Sequence, residues 1–178
     1  MFSRFFAFFI LIILFPILTI IVLAIFIEDG CPILFTQKRV GINYTFFKIY
    51  KFRSMKNNSP DLATHLLTNP EKYLLKTGRL LRKLSLDELP NFLNIVKGEM
   101  NFVGPRPALH SQKDLMVLRL ASGVDKLKPG ITGWAQINGR DDISMKKKVQ
   151  LEQQYFNKKS FLFDLEIIIK TFMINFKL

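Results

Sequence analysis

Between Phe5 and Ile27 the chain carries no charged side chain, and only Pro16 and Thr19 interrupt the apolar run. As a straight helix this stretch extends about 35 Å, enough to cross a bilayer. A cleaved signal peptide fits poorly, because the run is too long and Glu28-Asp29-Gly30-Cys31 is not a small-residue cleavage site. The segment reads as a membrane anchor. Pro16, near its middle, removes one backbone hydrogen bond and clashes with the preceding turn. Each half is then roughly 17 Å long, about half the hydrocarbon thickness, so the anchor either spans with a kink or enters and leaves by one face. Arg4 before it and Lys38-Arg39 after it allow both ends to be cytoplasmic under the positive-inside rule.

The rest of the 178 residues is one domain's worth, enough to bury a core. Lys and Arg number 26 against 14 Asp and Glu, a formal charge of +12 that calls for an anionic partner: nucleic acid, an anionic lipid surface or a phosphorylated substrate. Aromatic residues make up 13% of the chain, mostly Phe, which suits a membrane protein better than a soluble nucleic-acid binder. A single cysteine, Cys31, excludes an internal disulfide and a cysteine-based zinc cluster, and His65 and His110 are too far apart to give metal-ligand spacing. A cytosolic working face follows more readily than a secreted one.

After the anchor, Ile33 to Arg53 reads as a β-hairpin turning at Gly41-Ile42-Asn43, with an aromatic-rich return strand. By parity Lys51 shares a face with Arg53, and Lys48 lies opposite Arg53. Asn57 to Pro60 is a loop. Asp61 to Leu84 predicts one or two helices punctuated by Gly78. Ser85 as N-cap and Glu88 three residues on predict a capping box, followed by a buried face of Leu89, Phe92, Leu93 and Val96 and a stop at Gly98. Lys128 to Gly133 reads as a turn-rich loop leading to Trp134, Lys146 to Phe156 as a charged helix, and Phe161 to Leu178 as an apolar helix suited to a membrane interface or a core.

Three motifs have chemical content. Asp87-Glu88 lies between Arg79, Arg82 and Lys83 on one side and Arg106 on the other. A carboxylate can attack phosphorus or hold a metal, and arginine forks match phosphate oxygens. The plainer alternative is that two acidic residues in a first helical turn serve only the helix dipole. In Pro105-Arg106-Pro107 the prolines either fix the Arg for a phosphate or make a rigid turn with a solvated Arg. Gly130 to Trp134, with Arg140 near, is either a flexible loop lining a polar substrate or a loop with one aromatic packed on the core. No glycine-rich phosphate loop is present, and Lys146-Lys147-Lys148 reads as a solvated or headgroup-facing surface.

Taken in order, residues 47–55 (Phe-Lys-Ile-Tyr-Lys-Phe-Arg-Ser-Met), 84–90 (Leu-Ser-Leu-Asp-Glu-Leu-Pro), 102–107 (Phe-Val-Gly-Pro-Arg-Pro) and 128–140 (Lys-Pro-Gly-Ile-Thr-Gly-Trp-Ala-Gln-Ile-Asn-Gly-Arg) resemble the small monotopic polyprenyl-phosphate phosphoglycosyl transferases. These bacterial sugar transferases initiate glycan assembly on a lipid carrier. The resemblance covers nearly the whole chain. It implies a mainly helical α+β protein with a re-entrant anchor over residues 1–28, broken at Pro16, and a cytosolic-face catalytic domain over 29–178 with interfacial helices. It also implies a place on the cytoplasmic face of a bacterial inner membrane.

For the site, the resemblance implies that Asp87 is the nucleophile and Glu88 its dyad partner. Mg²⁺ is the implied cofactor, with Asp87 and Glu88 as its contacts. Arg106 matches a phosphate-binding arginine, Lys51 and Arg82 match other basic positions, and Arg140 lies in the last motif. The implied reaction moves a phosphosugar from a UDP-sugar to undecaprenyl phosphate through an aspartyl phosphosugar, releasing UMP. Two features depart from the family pattern: Phe15 stands where Ser usually precedes the proline, and the basic stretch before the anchor is reduced to Arg4. Two rival readings stand beside this one, a transferase of the sugar alone that releases UDP and a membrane-tethered basic binding protein. The ordered motifs argue against nucleic acid as the partner.

Overall fold

The computed structural model describes residues 2–59, 69–139 and 142–176. The helix expected from Asp61 onward therefore lies outside the described residues as far as Thr68. A long apolar helix, α1 (Phe2–Asp29), leads into a hairpin of β1 (Leu34–Val40) and β2 (Phe46–Phe52). There follow α2 (Lys76–Lys83), a 3-10 turn over Leu86–Asn91, α3 (Phe92–Lys97), β3 (Asn101–Val103), β4 (Ala108–Leu109), α4 (Lys113–Ser122), β5 (Gly130–Thr132), α5 (Trp134–Ile137), α6 (Met145–Lys158) and α7 (Phe161–Phe176). The protein is mainly helical with two small sheets.

The expected hairpin forms, with Leu34 opposite Phe52 and Lys38 opposite Lys48, joined by a short 3-10 turn over Ile42–Tyr44. The sequence pattern did not reveal its third strand: β4 pairs antiparallel with β1 through Arg39–Leu109 and Val40–Ala108. The second sheet corrects another expectation. Gly130–Thr132, read as loop, is a strand pairing parallel with β3. Its glycines are needed for close approach, since a Cβ on Gly130 or Gly104 would strike the backbone of the other strand. Strands this short carry too little alternation to be recognised locally.

Two other local expectations fail. Gly78 does not separate helices; it lies inside α2, where a Cβ would run into the backbone of Ser54. Ser85 does not cap: its φ is 55° and its side chain makes no cap hydrogen bond. The buried face of α3 is also rotated from the predicted one. Leu93 is exposed, whereas Asn91, Asn94 and Ile95 are buried. Asn94 explains the rotation. Its Nδ2 donates to the Lys48 carbonyl at 2.7 Å and to Glu99 at 2.7 Å, and its Oδ1 accepts from the Tyr50 amide at 3.3 Å. A side chain that satisfies the β2 backbone in this way is worth more inside than a leucine without room to pack.

Helix α1 is continuous through Pro16. Its less exposed positions, Ala7, Ile10, Leu11, Leu14, Leu18, Ile21 and Ile25, recur at helical spacing, and the other apolar side chains, Phe5, Phe9, Ile13 and Ile20 among them, face outward. Both ends dock on the same body. Near the start, Arg4 donates to the Lys97 carbonyl at 2.9 Å, Phe6 stacks against Phe102, and Ala7 is buried with Phe47, Ile49, Ile95 and Met100. Near the end, Ile21 and Ile25 pack with Phe52, Leu75 and Leu81. There Glu28 accepts from the amides of Lys76 and Thr77 at 2.5 and 2.9 Å, and Asp29 pairs with Arg53.

Candidate active site

Residues from separate motifs meet where β2, the 3-10 turn before α3 and the Gly104-Pro105-Arg106-Pro107 turn come together. Pairing β3 with β5 places that turn: Gly104 donates to the Thr132 carbonyl at 2.9 Å, and Gly130 donates to that of Pro105 at 2.9 Å. A shallow cleft is lined by Arg39, Ile49, Lys51, Glu88, Asn91, Met100, Arg106, Pro107, Gly130 and Ile131.

Glu88 holds the cations together. Lys51, brought in by β2 on the same face as the buried Phe47 and Ile49, lies 2.5 Å from Glu88 Oε1, and Arg106 Nη2 lies 3.6 Å from the same oxygen. Glu88 therefore turns toward Lys51 and Arg106, which corrects the capping-box reading. Burial by itself raises the Glu88 pKa, but Lys51 and Arg106 outweigh it and hold the carboxyl below its ordinary value. Asp87 differs. Among the described residues it makes no ion pair. Its pKa is raised, by burial first and by the neighbouring Glu88 charge second, with Lys51 and Arg82 opposing.

Adjacent carboxyls whose environments push them apart are suited to different tasks. Glu88 is a fixed anion in a cationic frame. Asp87 makes no ion pair among the described residues and is the more basic of the two.

Arg82 sits on the Asp87 side, its Nε donating to Ser54 Oγ at 2.9 Å. Arg140 lies outside the described residues. Trp134 does not reach the cleft: its ring packs on Phe163 at 5.0 Å and its Nε1 donates to Gln154 at 3.2 Å, so the core alternative holds for it. Two residues of the site region were not recognised from the sequence. Arg39 lines the cleft, and Arg119 supports its Arg106 wall from behind, donating from Nη2 to the Arg106 carbonyl at 3.0 Å while paired with Glu152.

The donor set bears on a metal. Among the described residues no group of three or more His, Cys, Asp or Glu side chains could cage an ion. Two adjacent carboxylates fit Mg²⁺, which uses one or two of them and completes its shell with water and substrate phosphate. They do not fit a zinc- or calcium-type cage.

Comparison with known proteins gives consistent matches. A family model described as "Bacterial sugar transferase" matches residues 1–178. Over 145 residues the chain is 46% identical to the "Uncharacterized sugar transferase EpsL" of Bacillus subtilis (strain 168), covering 82% of this chain and 70% of that protein. It is 38% identical over 169 residues to the "UDP-glucose:undecaprenyl-phosphate glucose-1-phosphate transferase" of Escherichia coli (strain K12), covering 91% of this chain and 36% of that one. Against the "UDP-N-acetylgalactosamine-undecaprenyl-phosphate N-acetylgalactosaminephosphotransferase" of Aeromonas hydrophila it is 33% identical over 157 residues, covering 86% and 37% respectively. The chain thus spans little more than a third of the length of these last two relatives.

Proposed function

The chain belongs to the bacterial sugar transferase family, and on that premise we propose that it moves a sugar phosphate from a UDP-sugar to undecaprenyl phosphate, beginning the assembly of a membrane-bound glycan. Relatives named for that transfer support the reaction class. One observation carries the chemistry: an unpaired Asp87 carboxyl of raised pKa beside a Glu88 neutralised by Lys51 and Arg106.

In this reading a carboxylate oxygen of Asp87 attacks the sugar-bearing phosphorus of the donor. The anhydride P–O bond breaks, its electron pair leaves on UMP, and an aspartyl phosphosugar forms. An oxygen of undecaprenyl phosphate then attacks the same phosphorus. The aspartyl P–O bond breaks, which restores the carboxylate and yields the diphosphate-linked sugar lipid. A negative nucleophile meets a negative phosphoanhydride in the first step, so positioning and charge neutralisation carry most of the catalysis. Lys51, Arg82 and Arg106 supply positive charge around the two carboxyls, and Arg140, in the last motif, is assigned to the same group. Asp87 and Glu88 would hold Mg²⁺, which would further neutralise the phosphate oxygens.

The two-step route lets a water-soluble donor and a lipid acceptor use one site in turn. It also requires the site to face the cytoplasm at headgroup level, and here we read α1 as re-entrant on the inner membrane. A spanning helix would separate its ends by about 30 Å of hydrocarbon. Yet the contacts of Arg4 and Ala7 and those of Glu28 and Asp29 are with one folded body. Pro16, which lacks an amide donor, is the position in the continuous helix where such a path can bend.

Incubating the purified chain with a UDP-sugar, undecaprenyl phosphate and Mg²⁺, and resolving the nucleotide product, tests the reaction class. UMP supports sugar-phosphate transfer; UDP instead makes the chain a transferase of the sugar alone.

A further inference from the structure

One guanidinium in the cleft has no part in the scheme above. Arg39 donates from Nη1 to the Pro107 carbonyl at 3.0 Å and from Nη2 to Gln37 Oε1 at 2.6 Å. Among the described residues it makes no ion pair, and its Nε is buried without a partner. A second polar atom on a lining residue is also unsatisfied: Asn91 is 3% exposed and its Oδ1 lacks a donor. Buried polar atoms left unpaired are uncommon, and two on residues lining one cleft mark a place shaped for a ligand.

Glu88, Lys51, Arg106 and Arg39 line the cleft, and Asp87 and Arg82 do not. Lys51 and Arg106 both reach Glu88, the sequence neighbour of Asp87, and Arg39 is tied to Pro107, the residue after Arg106. Three cations thus share one cleft with the carboxylate next to Asp87. Burial, and then the nearby Arg106 charge, lower the Arg39 pKa to about 10 against the opposing pull of Glu88, so it stays protonated at neutral pH while bearing an unfavourable neighbour. An anion between the two arginines removes that repulsion and supplies acceptors for a guanidinium fork.

We propose that Arg39 binds the phosphate of the donor's nucleotide half, the one that leaves with UMP. This rests on the sugar-phosphate transfer reading: with the sugar-bearing phosphorus at Asp87, the next phosphate along the donor falls toward Arg106 and Arg39. Arg39 thus holds the leaving group while Arg106 bridges it to the site of attack.

Titration calorimetry of the full chain in detergent, with UMP and with uridine as probes, tests this. Arg39→Gln is expected to weaken UMP about tenfold or more, the loss of a charge-assisted contact, while uridine affinity and the melting temperature stay unchanged. A folded Arg39→Gln that binds UMP as tightly as wild type overturns the role. So does an equal loss of UMP and uridine, which would mean that the arginine only shapes the turn. If Arg39→Gln does not fold, Arg39→Lys is read instead: a clear loss confined to UMP supports the fork, and full UMP affinity overturns it. Wild-type protein that fails to bind UMP at all contradicts the transfer reading itself, a result distinct from a change in the variant alone.

Discussion

Arg119 donates to the backbone carbonyl of Arg106 at 3.0 Å, so a buried residue that does not line the cleft holds the arginine that does. Its other contacts are with Glu152, at 2.8 Å from Nε and 2.5 Å from Nη2, and Glu152 is 2% exposed. The pair joins α4 to α6 behind the Pro-Arg-Pro turn.

Arg119→Met leaves Glu152 buried without a counter-ion, a change that costs about 3–5 kcal/mol when one member of such a pair is removed. Denaturant unfolding is expected to show this loss. The double variant Arg119→Met/Glu152→Met is expected to recover much of it, because no charge is then stranded. Equal destabilisation of single and double variants would show that packing, and not the ion pair, is what Arg119 supplies.

The site carries its own pH dependence. In the proposed reaction turnover requires Asp87 ionised, and its raised pKa places the expected acidic limb of kcat/KM above the ordinary aspartate range. Lys51 favours the ionised form of both carboxyls. Lys51→Met is therefore expected to move the acidic limb to higher pH as well as to lower the plateau. A limb that stays in place while the plateau drops would mean that Lys51 contacts substrate without tuning the acids.

Asp87 also bears on stability. A carboxyl whose folded pKa exceeds its unfolded value binds its proton more tightly when folded, so stability falls as pH rises through that window and stays lowered at neutral pH. Asp87→Asn removes that burden. It is expected to melt at a higher temperature than wild type at neutral pH, with the gap closing as the pH falls below the unfolded pKa, and to have no turnover. A lower melting temperature for Asp87→Asn at neutral pH contradicts this electrostatic picture.

The two ends of α1 give a topological prediction. In a Cys31→Ser background, Ser3→Cys is expected to react with a membrane-impermeant maleimide in inside-out vesicles and not in intact cells; the opposite pattern would mean that the helix spans. Gly98, at φ 82°, leaves room for the Arg4 guanidinium, which a Cβ would overlap. Gly98→Ala is expected to cost about 1–2 kcal/mol from backbone strain alone, and to loosen the start of α1 as seen by faster hydrogen exchange there.

Sequence pattern reached the local features: the anchor, the Leu34–Phe52 hairpin, the Gly98 stop, and the helices at Met145–Lys158 and Phe161–Phe176. Each has strong periodicity or a residue with special backbone freedom. What escaped it depends on distant partners. Ser85 and Glu88 have the spacing of a capping box, but Lys51, 37 residues away from Glu88 in sequence, claims that carboxylate. Asn94 has no distinctive place in the sequence pattern, and its burial depends on two β2 backbone partners, the Lys48 carbonyl and the Tyr50 amide, together with Glu99. Arg39 was legible only as a cation following the anchor, because its contact with Pro107 spans 68 positions. The ordered motifs, by contrast, indicated Asp87, Glu88, Lys51 and Arg106 before any geometry was known, and the fold brings Lys51, Glu88 and Arg106 to one cleft with Asp87 adjoining.

The covalent step can be read directly by intact-protein mass spectrometry. The full chain is mixed with a UDP-sugar and Mg²⁺ in the absence of undecaprenyl phosphate, quenched and weighed. The account predicts a mass increase of one sugar phosphate, located on Asp87 by peptide mapping, absent from Asp87→Asn and discharged when the lipid is added. Product formation under lipid-replete conditions with no such adduct on Asp87 would contradict it.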